Sequence, residues 1–403
     1  MRFKNSAIVL GLSPAGLYLL RALSNAGITV YGVTNKTESG LFSKHILSKQ
    51  HRWKGLNDLE LLHRIRELAT EDGVLPVLLP ASDMYIEWIS MHYSELKQIA
   101  LFSGSYSPDR YIDFLDKDRF YSACQKVGVP YPGRIKLADF FSEGIAYKPG
   151  FPMLIKPGRL HEVSDVMGSR KVFICHDMED LEKYMKLLPM NRGSWLVQEI
   201  VEGPDNDIYC LGGVHTGNGK ILTPVSGRKL RQFPPGYGTA AAFSLESPPS
   251  ELWTYTKKLL NILKLDGIFE IEFKQDEKDG LWKVFEINPR TALWFGAAQT
   301  AGIPLALSLY YIYVGSENLQ LMEISESKVV WRTGTKNLIA LFMQFIKRVP
   351  NREIYKKKGK TIASWAFWDF TDPMPAFIEM IMYVVKLTKK IIYKFIPKRG
   401  HIG

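Results

Sequence analysis

Residues 267–290, GIFEIEFKQDEKDGLWKVFEINPR, constrain the fold more than any other stretch of the chain. From 268 to 274, Phe269, Ile271 and Phe273 alternate with Glu270, Glu272 and Lys274. A period of two puts the apolar side chains on one face of a strand and the charged ones on the other. The polar turn QDEKDG ends in glycine and returns the chain through a second strand over 281–287. Glu286 and Asn288 lie two apart, so on extended chain they point the same way. Glu272 can join them across the ladder. Two carboxylates and an amide oxygen are hard ligands suited to Mg²⁺ or Mn²⁺, which keep waters and substrate phosphates in their other positions. Pro289 cannot continue the ladder, and Arg290 beyond it offers a planar cation for phosphate or carboxylate. The competing reading is a surface hairpin with solvated charges, since Asp and Glu are mostly exposed.

At 403 residues the chain has room for two or three domains, and 46% hydrophobic with 23% charged residues is ordinary for a globular protein. The net charge of +11 is concentrated at the end: from Lys347 onward there are thirteen Lys or Arg against four Asp or Glu. Cys124, Cys175 and Cys210 lack CxxC spacing, which points away from a disulfide framework or zinc site and towards a reducing cytoplasm. The eight histidines show no metalloprotease or zinc-finger spacing. The opening MRFKNSAIVLGLSPAGLYLL has the charged start and apolar run of a secretory signal, but Gly11, Pro14 and Gly16 break the run and no small-residue cleavage site follows. No run of about 18 apolar residues marks a membrane span.

That opening reads better as a strand (7–10), a turn GLSPAG, a helix (17–26) and a second strand (29–33). It is neither G-x-G-x-x-G nor a Walker A motif, and Thr34 and Asn35 stand where a dinucleotide-binding domain carries an acid for the ribose. A Rossmann-like lead domain that helps hold substrate is the better account. An amphipathic helix over 58–71 and a strand over 74–79 follow. The strand ends in PASD, which puts Ser82 and Asp83 at the mouth of a parallel sheet. Capping of the next helix is the preferred role for these two.

Four further segments carry cations or turns at defined places. DKDRFYSACQKVGVPYPG (116–133) sets Lys117 at a helix start and runs into Gly-Val-Pro-x-Pro. FPMLIKP (151–157) is a buried strand ending in Lys156. WLVQEIVEG (195–203) is a strand ending Gln198-Glu199-Ile200, with Glu202 and Asp207 just beyond. SGRKLRQFPPGYG (226–238) clusters Arg228, Lys229 and Arg231 before a glycine-rich turn that lets backbone N–H groups approach an anion. From that cluster Arg228 is chosen to grip phosphate or a substrate carboxylate, against the alternative of a solvated basic turn.

With Glu272 and Glu286-x-Asn288-x-Arg290, these parts stand in the order found in the ATP-grasp superfamily, which the chain resembles from about residue 8 to 315. The lead domain, the PASD strand end and the Glu-Ile-Asn-Pro-Arg ending look most like the group of D-aspartate ligase and carbamoyl phosphate synthase. The resemblance implies ATP phosphates at Lys117 and Lys156, adenine at Gln198, Glu199 and Ile200, and ribose at Asp207, with Glu202 nearby. It implies metal at Glu272, Glu286 and Asn288. Lys156, Arg228 and Arg290 would assist the chemistry. The segment 158–172, GRLHEVSDVMGSRKV, stands where the superfamily has a glycine-rich phosphate lid, but it holds only Gly158 and Gly168.

The expected fold class is α/β, with α+β character in the ATP-grasp part. A Rossmann-like domain (1–112) precedes a small subdomain (113–194) and a large subdomain with the metal site (195–325). A basic amphipathic extension (326–403) closes the chain. Its final helix, 376–396, has Glu379, Lys386, Lys390 and Lys394 on one face and Ile381, Val384, Val385, Ile392 and Phe395 largely on the other. That pattern suits an anionic membrane surface, a partner subunit as in a homodimer, or the protein's own core. Nucleic acid is not expected, because no binding motif is present. The implied activity is a cytoplasmic ATP-dependent carboxylate–amine ligase acting on small carboxylate and amine substrates, peripheral to the membrane if the tail binds it. An amino acid joined to a cell-envelope precursor is the first reading. A free dipeptide or small amide is the second, and a nucleotide-binding module without catalysis is the third.

Overall fold

The computed structural model describes residues 4–46, 48–144, 147–159, 163, 172–189, 194–236, 238–315, 328–347 and 361–395. Strands β1 (Ala7–Leu10), β2 (Val30–Thr34), β3 (Arg52–Lys54) and β4 (Val77–Pro80) form a parallel sheet in the order β3-β2-β1-β4. Every residue of β1 and β4 is buried, as a strand covered on both faces requires. The turn into the helix Pro14–Asn25 is so tight that a Cβ on Gly16 would lie 1.9 Å from the carbonyl oxygen of Gly11. The helix Asp58–Asp72 starts with a capping box between Asn57 and Glu60. Gly73 ends it at φ +65°, and the following strand begins at Val77 rather than at 74. Strand order reverses between β1 and β4, so the loops after them open one crevice.

A second sheet is antiparallel, in the order β5-β8-β6-β7, from β5 (Arg134–Lys136), β6 (Met153–Pro157), β7 (Phe173–Cys175) and β8 (Trp195–Glu199). The expected boundary at 194/195 therefore moves. Strand β8 is apolar from Trp195 to Val197, and it takes a central place in the small sheet where both of its edges are paired. Most of the expected phosphate lid, residues 160–162 and 164–171, lies outside the described residues.

The third sheet has seven strands in the order β13-β12-β9-β10-β11-β14-β15. They are β9 (Ile208–Thr216), β10 (Ile221–Phe233), β11 (Thr239–Leu245), β12 (Asp266–Gln275), β13 (Trp282–Asn288), β14 (Lys328–Arg332) and β15 (Thr361–Trp365). Strands β14 and β15 come from the stretch expected as a separate extension, yet they continue this sheet, antiparallel at β11 and parallel to each other. Phe269, Ile271 and Phe273 turn to one side, where they bury against Leu252, Leu259 and Leu260 of the helix Ser250–Ile262. Buried Asp372 ties the end of the chain to the first domain. It accepts from Arg21 Nε at 3.0 Å, Ser43 Oγ at 2.7 Å and the Lys44 N–H at 2.8 Å. Among the described residues no helix is long and apolar enough to cross a membrane.

Candidate active site

The geometry of the site follows from strand parity. Opposite each other in the β12–β13 ladder stand Glu272 with Glu286, and Glu270 with Asn288. The apolar residues between them face the other way, so all four polar side chains share one face. Phe285 is an extra residue bulged into β13 beside this pair, and it lines the cleft. The cleft is a cavity of about 400 Å³ between the first domain and the other two sheets, lined by Asp83 from the helix start after β4, Lys156 and Gln198 from the small sheet, and Lys229 and Glu272 from the large one.

Each acid of the facing pair is held by a lysine from another element. Lys229 Nζ lies 2.5 Å from Glu272, and Lys117 Nζ lies 2.7 Å from Glu286. Burial alone would lower the Lys229 ammonium, but Glu272 beside it holds its pKa above the ordinary lysine value. Asn288 donates to Glu270 at 3.0 Å and to Glu286 at 3.3 Å, and its oxygen accepts from Arg290 Nη2 at 3.1 Å. Glu270 lies beneath, accepting also from Trp294. Burial, then repulsion from Glu272, pushes its carboxyl up to about 7.

Arg290 Nε reaches Asp83 at 2.5 Å, so the strand end of the large sheet is locked to the crevice of the first domain. Asp83 occupies the first turn of the helix Asp83–Met91, and Ser82 at the cap makes no side-chain capping bond. Asp83 is therefore a wall of the cleft as well as part of a helix start. On the opposite side, Lys156 Nζ donates to the Tyr121 hydroxyl at 2.9 Å, and Tyr121 donates to the Phe285 carbonyl at 2.9 Å. Burial and then the neighbouring Lys117 charge hold the Lys156 ammonium well below the ordinary lysine value.

Of the residues singled out from sequence, Lys117, Lys156, Gln198, Ile200, Glu272, Glu286, Asn288 and Arg290 line this one cavity. Glu199, Glu202, Asp207 and Arg228 do not. The Glu199 N–H, expected to serve adenine, donates to the Gly133 carbonyl at 3.0 Å, and its carboxylate pairs with Lys283 at 2.9 Å. Glu202 is exposed and its N–H goes to Asp276 at 3.2 Å. Asp207 ends the 3-10 turn Asp205–Asp207. Arg228 lies on the far face of β10, 2.9 Å from Glu246 and over the Tyr209 ring. Alternation on β10 delivers Lys229 to the cleft instead. The turn after β10 does not present the Gly236 amide to an anion, because that N–H already donates to Asp205 at 3.1 Å. Tyr237 lies outside the described residues.

The donor set fits a hard divalent cation. Glu272 and Glu286 are cross-strand neighbours, and Asn288 stands on the same face, where its amide oxygen would join them once turned from Arg290. Another grouping brings the Cys210 sulfur within 4.8 Å of the Glu270 and Glu272 carboxylates. Burial, and then the neighbouring Glu272 charge, push the Cys210 thiol well above its ordinary value. Lys229 and Glu270 are the site residues that sequence reasoning passed over. The alternation on β12 pointed to Glu270, whereas Lys229 needed the register of β10.

No protein-family model matches the chain. Over 247 residues it is 22% identical to the D-aspartate ligase of Enterococcus faecium, a match covering 57% of this chain and 56% of the ligase. Over 213 residues it is 27% identical to the carbamoyl phosphate synthase large chain of Methanosarcina barkeri, covering 47% of this chain and 18% of that one. The matched stretch thus spans just over half of the first relative and under a fifth of the second. In fold the chain is similar to the N5-carboxyaminoimidazole synthetase of Staphylococcus aureus, a structure complexed with ADP. The TM-score is 0.64 at 13% identity, covering 86% of this chain and 87% of that one.

Proposed function

For this chain, a member of the ATP-grasp superfamily distantly homologous to D-aspartate ligase and the carbamoyl phosphate synthase large chain, we propose the activity of an ADP-forming carboxylate–amine ligase. The observation that carries the reading is the convergence of Glu272, Glu286, Asn288 and Arg290 with Lys117, Lys156 and Lys229 on one cavity. Phosphoryl transfer asks a protein for positioning and charge rather than for a nucleophile of its own. Glu272, Glu286 and Asn288 would hold Mg²⁺, which when bound supplies positive charge to the phosphate oxygens of ATP.

Lys117 and Lys156 flank the same acids and stabilise negative charge spreading over the transferred phosphoryl group. A substrate carboxylate oxygen attacks the γ-phosphorus, the bond to the β-phosphate oxygen breaks, and ADP leaves. Arg290, fixed by Asp83, orients that carboxylate. An amine then attacks the acyl carbon of the acyl-phosphate, inorganic phosphate departs with the C–O bonding pair, and the amine loses a proton as the amide forms. Adenine sits against Gln198 and Ile200. The acceptor we favour is a cell-envelope precursor met at the inner face of the membrane. A small free amine is the second reading.

The test is ADP release from ATP and Mg²⁺ across pools of amino acids, with hydroxylamine present to trap an acyl-phosphate as its hydroxamate. ADP and a hydroxamate that both depend on one amino acid support the reading and identify the carboxylate. AMP with pyrophosphate would replace it with adenylation.

A further inference from the structure

The helix Thr335–Lys347 is packed with its polarity reversed. Asn337 and Gln344 are buried with Ala340 against the large sheet, and Asn337 accepts from the buried Arg231 at 2.9 Å. Outward, Leu338, Leu341, Phe342, Phe345 and Ile346 form one stripe at helical spacing, with Phe345 83% exposed. The helix Met374–Phe395 shows the same excess. Phe377, Ile381, Val384 and Val385 are exposed, and from Val384 to Thr388 every side chain is exposed, so this part of the helix stands clear of the described chain. Beside its start, Trp368 packs edge-on against both Phe377 and an 89% exposed Phe370. Apolar surface of this extent marks a docking face.

Charge decides what docks. Each helix leads into basic sequence: seven of the fourteen residues from 347 to 360 are Lys or Arg, as are six of the fourteen from 386 to 399. A second copy would bring two such excesses of like charge together. An anionic bilayer attracts them and accepts the apolar side chains, and tryptophans at the margin suit its interface. We propose that the outward stripe of Thr335–Lys347, with Phe370 and the exposed face of Met374–Phe395, is a docking surface for anionic membrane. The chain lies on the bilayer there, since no described helix is long and apolar enough to cross one. This surface is independent of the ligase reading.

The test is flotation of the full chain, without nucleotide, with vesicles of phosphatidylcholine alone or of an equimolar mixture with phosphatidylglycerol. The chain is expected to float with the mixed vesicles, to lose binding as salt rises, and to bind phosphatidylcholine weakly. The pair Phe342→Glu with Phe345→Glu, and separately Val384→Glu with Val385→Glu, should each weaken partitioning by about tenfold or more, with the thermal midpoint unchanged. All four side chains are exposed, so folding is not at stake. Three results would overturn the proposal: no binding to mixed vesicles, variants that bind as tightly as the parent, or a soluble polyanion such as polyglutamate binding as tightly as the vesicles. A dimer dissolved by the same substitutions, with no vesicle binding, would assign the face to a second copy instead.

Discussion

Glu272 faces Glu286 across an antiparallel ladder, and each carboxylate is held by a lysine from a different part of the chain. Two acids side by side on one face repel unless cations lie between or beside them. Lys229 and Lys117 supply that charge, and the same arrangement suits a divalent cation and a polyphosphate. Changing Glu286 to Gln would take the charge from one of the proposed metal ligands and leave Lys117 without its acid. Turnover should fall by about 10²-fold or more while the fold persists. Steady-state ADP release and a thermal melt on the same preparation check both halves.

Strand parity makes a sharper comparison. Lys229 lines the cleft and Arg228 pairs with Glu246 on the other face of β10. Lys229→Met is expected to reduce kcat/KM by about 10²-fold, and Arg228→Met to leave it nearly unchanged. The reverse ranking would mean that Arg228, and not Lys229, serves the reaction.

Lys156 gives a pH signature. Its ammonium is depressed by burial and by Lys117, so the free protein releases this proton at lower pH than a lysine in water. A bound polyphosphate favours the charged form and draws the pKa back up. ATP binding should therefore take up protons at pH values below the ordinary lysine value of 10.5. Calorimetry in two buffers of different ionisation enthalpy reads the uptake, which should shrink in Lys156→Gln. Equal uptake in both proteins would remove Lys156 from the phosphate site.

Asp372 should matter for stability although it is far from the cleft. Its carboxylate is buried and shared by Arg21, Ser43 and the Lys44 N–H, so Asp372→Ala takes the counter-charge from a guanidinium that is only 13% exposed and leaves it two backbone carbonyls, those of residues 367 and 372. Removing one partner of such a pair costs ~3–5 kcal/mol. Chemical denaturation measures it, and a loss near zero would show that the end of the chain is not anchored there.

The part of the candidate site that sits on the hairpin could be read before the fold. Period-two alternation settles which residues of 268–274 share a face, and a Glu-x-Asn spacing needs no tertiary knowledge. What escaped was set by register and by neighbours. Lys229 and Arg228 are adjacent in sequence, and only the pairing of β10 with β9 and β11 decides which enters the cleft. That the Glu199 N–H is taken by the Gly133 carbonyl follows only from the pairing of β5 with β8. Strands β14 and β15 were lost inside a basic stretch, since charge says little about whether a five-residue segment pairs at a sheet edge. The outward apolar stripe of Thr335–Lys347 is not legible in the sequence, because sequence alone does not say which face of a helix meets the core.

The central claim is that a substrate carboxylate oxygen attacks the γ-phosphate of ATP. It is tested most directly with the amino acid identified by the hydroxamate screen, labelled with heavy oxygen in its carboxylate, and mass analysis of the phosphate released. The account predicts one labelled oxygen in inorganic phosphate and none in ADP. Label appearing in AMP, or unlabelled phosphate alongside amide product, would contradict it.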